Sequence, residues 1–200
     1  MPISIIKTKQ YFLLYKPYGV LSQFSDSQGR KTLKSLGTFP IDVYPVGRLD
    51  MDSEGLILLT NDTELNHLLT EPKFEHVRKY LVQIEKLPSK ESLEQLRKGV
   101  TIQGEKTKPA EVRLLETEPD VPPRTPAIRY RKNIPTAWIE ITLREGRNRQ
   151  VRKMTAAVGH PTLRLLRIAI AGLSLGALMP GESRHLSEKE VTRLRRLAGM

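Results

Sequence analysis

Apolar residues come in short runs along this chain, and their spacing changes from run to run. Residues 11–15 form an apolar run stopped by Pro17 and Gly19, which predicts a strand. Residues 56–60 are an apolar run closed by Thr60 and predict a buried strand. Asn61 or Asp62 then caps a short helix that carries Leu65, Leu68 and Leu69 on one face. Residues 80–85 alternate as a strand, and Ser89 opens a helix that Gly99 closes. Short strands follow at 100–102 and 112–115, and 137–143 alternates as another. Residues 148–158 predict a helix ended by Gly159. Ser187 and Glu190 form a capping box for a last helix that ends at Gly199.

Residues 116–136 break this pattern. Prolines at 119, 122, 123, 126 and 135 remove backbone donors, and Arg124, Arg129, Arg131 and Lys132 add charge. The stretch is expected to be a long loop, either a functional insertion or a tolerated surface one. Several short strands mixed with helices, without regular βαβ spacing, predict an α+β fold with a mixed, mostly antiparallel sheet.

Charge sharpens the picture. Of 33 basic and 22 acidic residues, 17 and 16 lie in residues 1–119, but 16 and 6 lie in residues 120–200. The second part is strongly cationic, which points to a polyanionic partner met by one region. There is no cysteine, so a thiolate nucleophile, a disulfide and a Cys-based metal site are excluded. The four histidines lack paired metal-ligand spacing. The opening MPISIIKTKQ lacks a signal-peptide core, and the longest uncharged run, 168–181, is too short to span a bilayer. A cytoplasmic protein with no membrane partner is expected.

Three constellations carry candidate chemistry. The first is Gly47-Arg48-Leu49-Asp50-Met51-Asp52-Ser53-Glu54-Gly55, a turn of three carboxylates and one arginine feeding a buried strand. A carboxylate held this way can serve as base or nucleophile. Pattern alone favours an acidic turn ordered by Arg48, and the spacing also resembles a divalent-cation loop. The second is Glu145-Gly146-Arg147-Asn148-Arg149-Gln150-Val151-Arg152-Lys153-Met154. On a helix, Arg149, Arg152 and Lys153 crowd one turn, which is unfavourable without an anion or carboxylate to compensate. Arg147 and Asn148 stand at its start, where free N–H groups favour phosphate. Arg144, Arg164 and Arg167 thicken the same cationic segment. The third is Arg78-Lys79-Tyr80, whose tyrosine can stack on a base but on a strand more often belongs to a core.

Together, and in this order, these segments resemble the motifs of pseudouridine synthases of the RsuA-type branch. Gly47–Asp50 with Gly55-Leu56-Ile57-Leu58-Leu59-Thr60-Asn61-Asp62 resembles the aspartate motif. Lys16-Pro17-Tyr18-Gly19-Val20-Leu21 resembles the first motif, Arg78-Lys79-Tyr80 the Lys-x-Tyr motif, and residues 145–154 the last. Three departures stand out: Arg78 for Lys, Thr63 for a usual Gly, and Arg149 for a commoner His.

The resemblance implies a single catalytic domain over 1–200, without an S4 domain, whose two subdomains flank a cleft. It implies isomerisation of a uridine in 23S ribosomal RNA by base flipping, with no cofactor and no metal, by a monomer. Asp50 would be the essential aspartate, Tyr80 would stack on the uracil, and Arg152 would pair with Asp50. Arg48 would fill the vacated stack. Lys16, Arg147, Asn148, Arg149 and Lys153 would bind the RNA. A non-catalytic rRNA-binding or assembly protein is the alternative that the charge split by itself permits. A metal-dependent nuclease built on Asp50, Asp52 and Glu54 is the third.

Overall fold

A computed structural model describes residues 8–128 and 134–200. Among the described residues eleven strands are formed: β1 (Tyr11–Lys16), β2 (Tyr44–Pro45), β3 (Glu54–Thr60), β4 (Arg78–Glu85), β5 (Thr101–Ile102), β6 (Glu105–Lys106), β7 (Glu111–Leu114), β8 (Thr136–Leu143), β9 (Thr162–Ile170), β10 (Leu173–Ser174) and β11 (Ser183–His185). Four α-helices join them: α1 (Thr63–Thr70), α2 (Lys90–Lys98), α3 (Gln150–Ala157) and α4 (Glu188–Leu197). The main sheet runs β11-β1-β3-β9-β4-β8-β7, with β2 beside β3 and β10 beside β9. All its pairings are antiparallel except β3 with β9. This is the α+β architecture that the pattern predicts.

Both faces of the sheet are covered, which explains why β1 and β3 read as continuous apolar runs. Phe12, Leu14, Ile57 and Leu59 point to one core, which α2 closes with Leu93 and Leu96 and α3 with Val151 and Met154. Tyr11, Leu13, Leu56 and Leu58 point to the other, closed by Leu65 and Leu69 of α1 and Leu194 of α4. The expected caps are present. Asp62 accepts from the Leu65 N–H, Ser89 from that of Ser92, and Ser187 with Glu190 forms the capping box.

Five strands escape the sequence pattern, the short β2, β6, β10 and β11 and the long β9, and β9 is the central one. β9 contains Leu163-Arg164-Leu165-Leu166-Arg167-Ile168, and its two arginines disguise a buried segment as part of a cationic surface. Both are internal, at 5% and 3% exposure, so neither thickens a phosphate-binding face. Arg164 makes a two-pronged bond to Glu54, Nε to Oε1 and Nη2 to Oε2 at 2.8 Å each. Its Nη2 also donates to the Pro122 carbonyl at 2.8 Å.

Glu54→Gln therefore leaves a buried guanidinium without its counter-charge. A loss of about 3–5 kcal/mol is expected in urea unfolding. Glu54→Leu combined with Arg164→Met should recover most of it, and a double variant as unstable as the single one would refute the account.

β3 and β9 pair over only two positions, Glu54 with Leu166 and Gly55 with Arg167. This short parallel junction joins the β11-β1-β3 and β4-β8-β7 halves through β9. Gly55 makes the approach possible. A side chain there would press on the Arg167 backbone, with its Cβ only 2.7 Å from the nitrogen.

Within the expected loop 116–136, Arg129, Arg131 and Lys132 lie outside the described residues, as do residues 1–7. The described part is tied down rather than loose. Pro122 is held by Arg164, and the Arg124 guanidinium lies 4.2 Å from the centre of the Tyr18 ring.

Candidate active site

A cavity of about 380 Å³ opens beside the β3–β9 junction. Asp50 and Tyr80 line it together, with Arg48, Arg78, Arg147, Asn148 and Arg149 around them and Arg167 among the lining residues. Its size suits one small ring system, near the lower end of ordinary ligand pockets at roughly 300–1,000 Å³.

The loop that carries Asp50 is fixed from several sides. The Ser53 N–H donates to the Asp50 carbonyl at 3.0 Å and closes a tight turn. The Gly19 N–H donates to the Met51 carbonyl at 2.8 Å. Ser22 grips Leu49 twice, donating to its carbonyl at 2.7 Å and accepting its N–H at 3.0 Å. The segment after β1 thus frames the aspartate loop, and β3 carries its other end into the core.

Lys16 belongs to this frame and not to a binding surface. It is fully buried, and its ammonium donates to the carbonyls of Val20 at 2.7 Å and Pro17 at 3.0 Å. It cannot meet a phosphate, which corrects the RNA-binding role expected of it. Burial pushes its pKa down to about 8, opposed by the charges of Glu54, Asp52 and Asp50. It is the buried cation of the carboxylate loop.

A pH signature follows from this group. The folded-state pKa lies below the free value of 10.5, so from about pH 8 to 10.5 the unfolded chain holds the proton more tightly. Stability contributed by Lys16 therefore rises with pH across that window. Activity should move the other way, declining above about pH 8 as the carboxylate loop loses its cation. Lys16→Met should lose that alkaline limb, and an unmoved limb would refute the assignment.

The second basic cluster divides its partners. α3 starts at Gln150, two residues later than predicted, because Arg149 adopts a left-handed backbone (φ 50°). From there its guanidinium reaches Asp52 at 2.8 and 2.9 Å and comes within 3.6 Å of Asp50. Arg152 does not make the expected pair with Asp50. Its Nη2 donates to the Asp52 backbone carbonyl at 2.6 Å, and its Nε lies 3.4 Å from the Asp52 carboxylate. Asp50 lines the cavity while Asp52 turns to α3, so the helix meets Asp52 first. Burial alone would raise the pKa of Asp52, but hydrogen bonds from Arg149 and the charges of Arg152 and Arg149 hold it below the usual range. The crowding on one turn is relieved by these carboxylates.

Arg147 bonds to Glu105 at 2.8 Å, and Lys153 to Gln103 at 2.7 Å and to Asn148 at 3.2 Å. Asn148 and Arg149 are exposed. Arg48 is exposed too and makes no hydrogen bond or ion pair with any described residue. The local pairing of Arg48 with Asp50 or Asp52 is not made. Of the three carboxylates of the loop, Asp50 and Asp52 share Arg149, Asp52 also meets Arg152, and Glu54 turns away to Arg164. No group of three or more His, Asp or Glu that could hold a metal ion occurs among the described residues. No described helix is long and apolar enough to cross a membrane.

Two residues that the sequence named but did not place in the site line the cavity. Arg78 lines the cavity and packs against Gly146, where a Cβ would lie 3.4 Å from its guanidinium carbon. Arg167 was masked by its charge. The available signal was its place in the apolar run Leu163–Ile168, where a surface strand would alternate.

The chain matches the family model described as RNA pseudouridylate synthase over residues 10–157. It is 54% identical over 170 residues to ribosomal large subunit pseudouridine synthase E of Xanthomonas axonopodis pv. citri, covering 84% of this chain and 89% of that one. To the enzyme of the same name from Vibrio parahaemolyticus it is 47% identical, covering 90% and 75%. Its fold is similar to a crystal structure of a pseudouridylate synthase, with a TM-score of 0.79, 29% identity and coverage of 96% and 76%.

Proposed function

The chain belongs to the RNA pseudouridylate synthase family, and on that premise we propose that it converts one uridine of 23S ribosomal RNA into pseudouridine. The observation that carries this is the joint presence of Asp50 and Tyr80 in one arginine-rimmed cavity the size of a single base. The relatives named as large-subunit enzymes support the choice of RNA.

The reaction breaks the N1–C1′ bond, turns the uracil, forms the C5–C1′ bond, releases the C5 proton and protonates N1. Substrate and product are isomers, so the net change needs no oxidant, reductant or group donor. Asp50 is the carboxylate assigned to the bond exchange. Tyr80 offers its ring to the uracil and its hydroxyl to the departing proton. Arg149 lies against Asp50, and Arg152 acts one step removed, holding the loop through the Asp52 backbone.

A uridine inside a stem must leave its stack to reach this cavity. Arg48, exposed at the cavity and free of described partners, suits the vacated space. Arg147, Asn148 and Arg149 line the rim where flanking phosphates would pass, and Lys153 stands behind Asn148. The two halves of the sheet form one catalytic domain with the cleft between them. We place a monomer in the cytoplasm with its RNA, working without metal or cofactor.

Mapping pseudouridines in 23S rRNA from cells with and without the gene tests this. One site should vanish without it and return with the wild-type gene. An unchanged map would refute the isomerase and favour an RNA-binding protein without catalysis.

A further inference from the structure

Arg167 occupies an unusual position for a guanidinium. It lies at the centre of the sheet, paired in register with Gly55 of β3 on one side and with Tyr80 of β4 on the other. It is 3% exposed, and no carboxylate among the described residues forms an ion pair with it. Arg164, three residues earlier on the same strand, shows the contrast with its two-pronged bond to Glu54. Of the Arg167 nitrogens, Nε donates to the Leu56 carbonyl at 2.8 Å. The guanidinium also lies near enough to the Tyr80 side chain, its register partner on β4, for the two to interact electrostatically. Its Nη2 is buried without a hydrogen-bond partner among the described residues. Burial pushes the guanidinium pKa down, and the nearby Tyr80 opposes the shift.

A buried charged donor left unpaired is destabilising, and a native structure that keeps one holds it for something. Arg167 lines the cavity that contains Asp50 and Tyr80, so the missing acceptor belongs to whatever enters there. We propose that Arg167 is a substrate-binding residue whose Nη2 donates to the O4 carbonyl of the flipped uracil, beside the Tyr80 side chain. The assignment rests on the isomerase reading above.

The chemistry selects O4 over O2. On the uracil ring C4 is bonded to C5, whereas C2 lies beyond N3. A group that contacts both Tyr80, at the C5 proton, and a ring carbonyl therefore meets O4. The same carbonyl needs a cation at two stages. When the N1–C1′ bond breaks, its electron pair stays on the uracil and spreads over N1, O2 and O4. After C5 has bonded to C1′, loss of the C5 proton moves the C–H electrons toward O4, and N1 gains a proton to complete the isomer. A fixed guanidinium in a water-poor pocket stabilises charge at O4 in both. Gly55 permits the arrangement, because only a residue without a side chain lets β9 bring Arg167 this close to the aspartate loop.

The test is single-turnover release of tritium from 23S rRNA transcripts carrying [5-³H]uridine, together with RNA affinity and thermal melting. Arg167→Met should melt no lower than wild type and bind RNA within a few-fold. Its rate constant should fall by about 10²–10³-fold. Arg167→Lys should recover part of that rate. A folded Arg167→Met that keeps a rate within five-fold of wild type would overturn the assignment. A second measurement does not depend on that variant folding. Transcripts made with 4-thiouridine, a poor acceptor, should slow wild type at least about ten-fold, and 2-thiouridine should not. Equal rates for the two would also overturn it. If wild type releases no tritium from transcripts or from large-subunit particles, the isomerase reading itself fails. Loss of the Arg167 effect alone leaves that reading standing.

Discussion

Asp50→Asn is expected to lower pseudouridine formation by roughly 10⁴-fold or more, the scale on which an enzyme loses rate when its reacting group is removed. The substitution keeps the shape of the side chain and removes only its charge and basicity. The loop should hold its place, because its fixings come from elsewhere. Ser22 grips Leu49, Gly19 bonds to Met51, and Arg149 and Arg152 are both held by Asp52. RNA affinity should stay within a few-fold of wild type, since Arg48, Asn148 and Arg149 are unchanged. Mapping pseudouridine in 23S rRNA from cells with this variant as the sole copy measures the effect. Product at the wild-type level would rule out Asp50 as the reacting carboxylate.

Gly55→Ala should be the most damaging single methyl group in the protein. The backbone there has φ 106°, a conformation side chains rarely adopt, and a Cβ would press on the Arg167 backbone across the sheet. Neither side can yield, because both are backbone in the only junction that joins β3 to β9. A loss above about 4 kcal/mol is expected, at the severe end for point changes. For a chain of this size that is roughly 8–16 °C in melting temperature. Gly29→Ala is the control. Gly29 also has positive φ, 72°, but nothing lies within 4 Å of a Cβ there. It should lose only the left-handed strain of about 1–2 kcal/mol. Equal melting temperatures for the two variants would show that the junction tolerates separation.

Much of this protein is written locally. Stretches such as residues 56–60 need only neighbours on both faces to become strands, so their apolar continuity announces them. Asp62, Ser89 and the Ser187–Glu190 box act within one helical turn, and each caps the helix that its spacing predicts. The turn around Asp50 and the tyrosine at position 80 stand out for the same reason: chemistry-bearing residue types at a fixed local spacing.

What local pattern does not decide is where a long charged side chain ends up. Lysine and arginine carry their charge several bonds from the backbone, so its surroundings depend on which strands are neighbours. Lys16, Arg164 and Arg167 look like surface cations in the sequence, and the sheet order turns all three inward. β9 inserts between β3 and β4, which sets Arg164 against Glu54 and Arg167 against Tyr80. Arg152 likewise meets Asp52 rather than Asp50, because the left-handed turn at Arg149 decides which carboxylate each guanidinium can reach. The sequence by itself determined the α+β class, the helix caps and six of the strands, and it singled out the Asp50 turn and Tyr80 as candidates. Only the tertiary structure decided which cations stay exposed and which are spent inside, and for the arginines that choice is made by residues about a hundred positions apart brought within 3 Å.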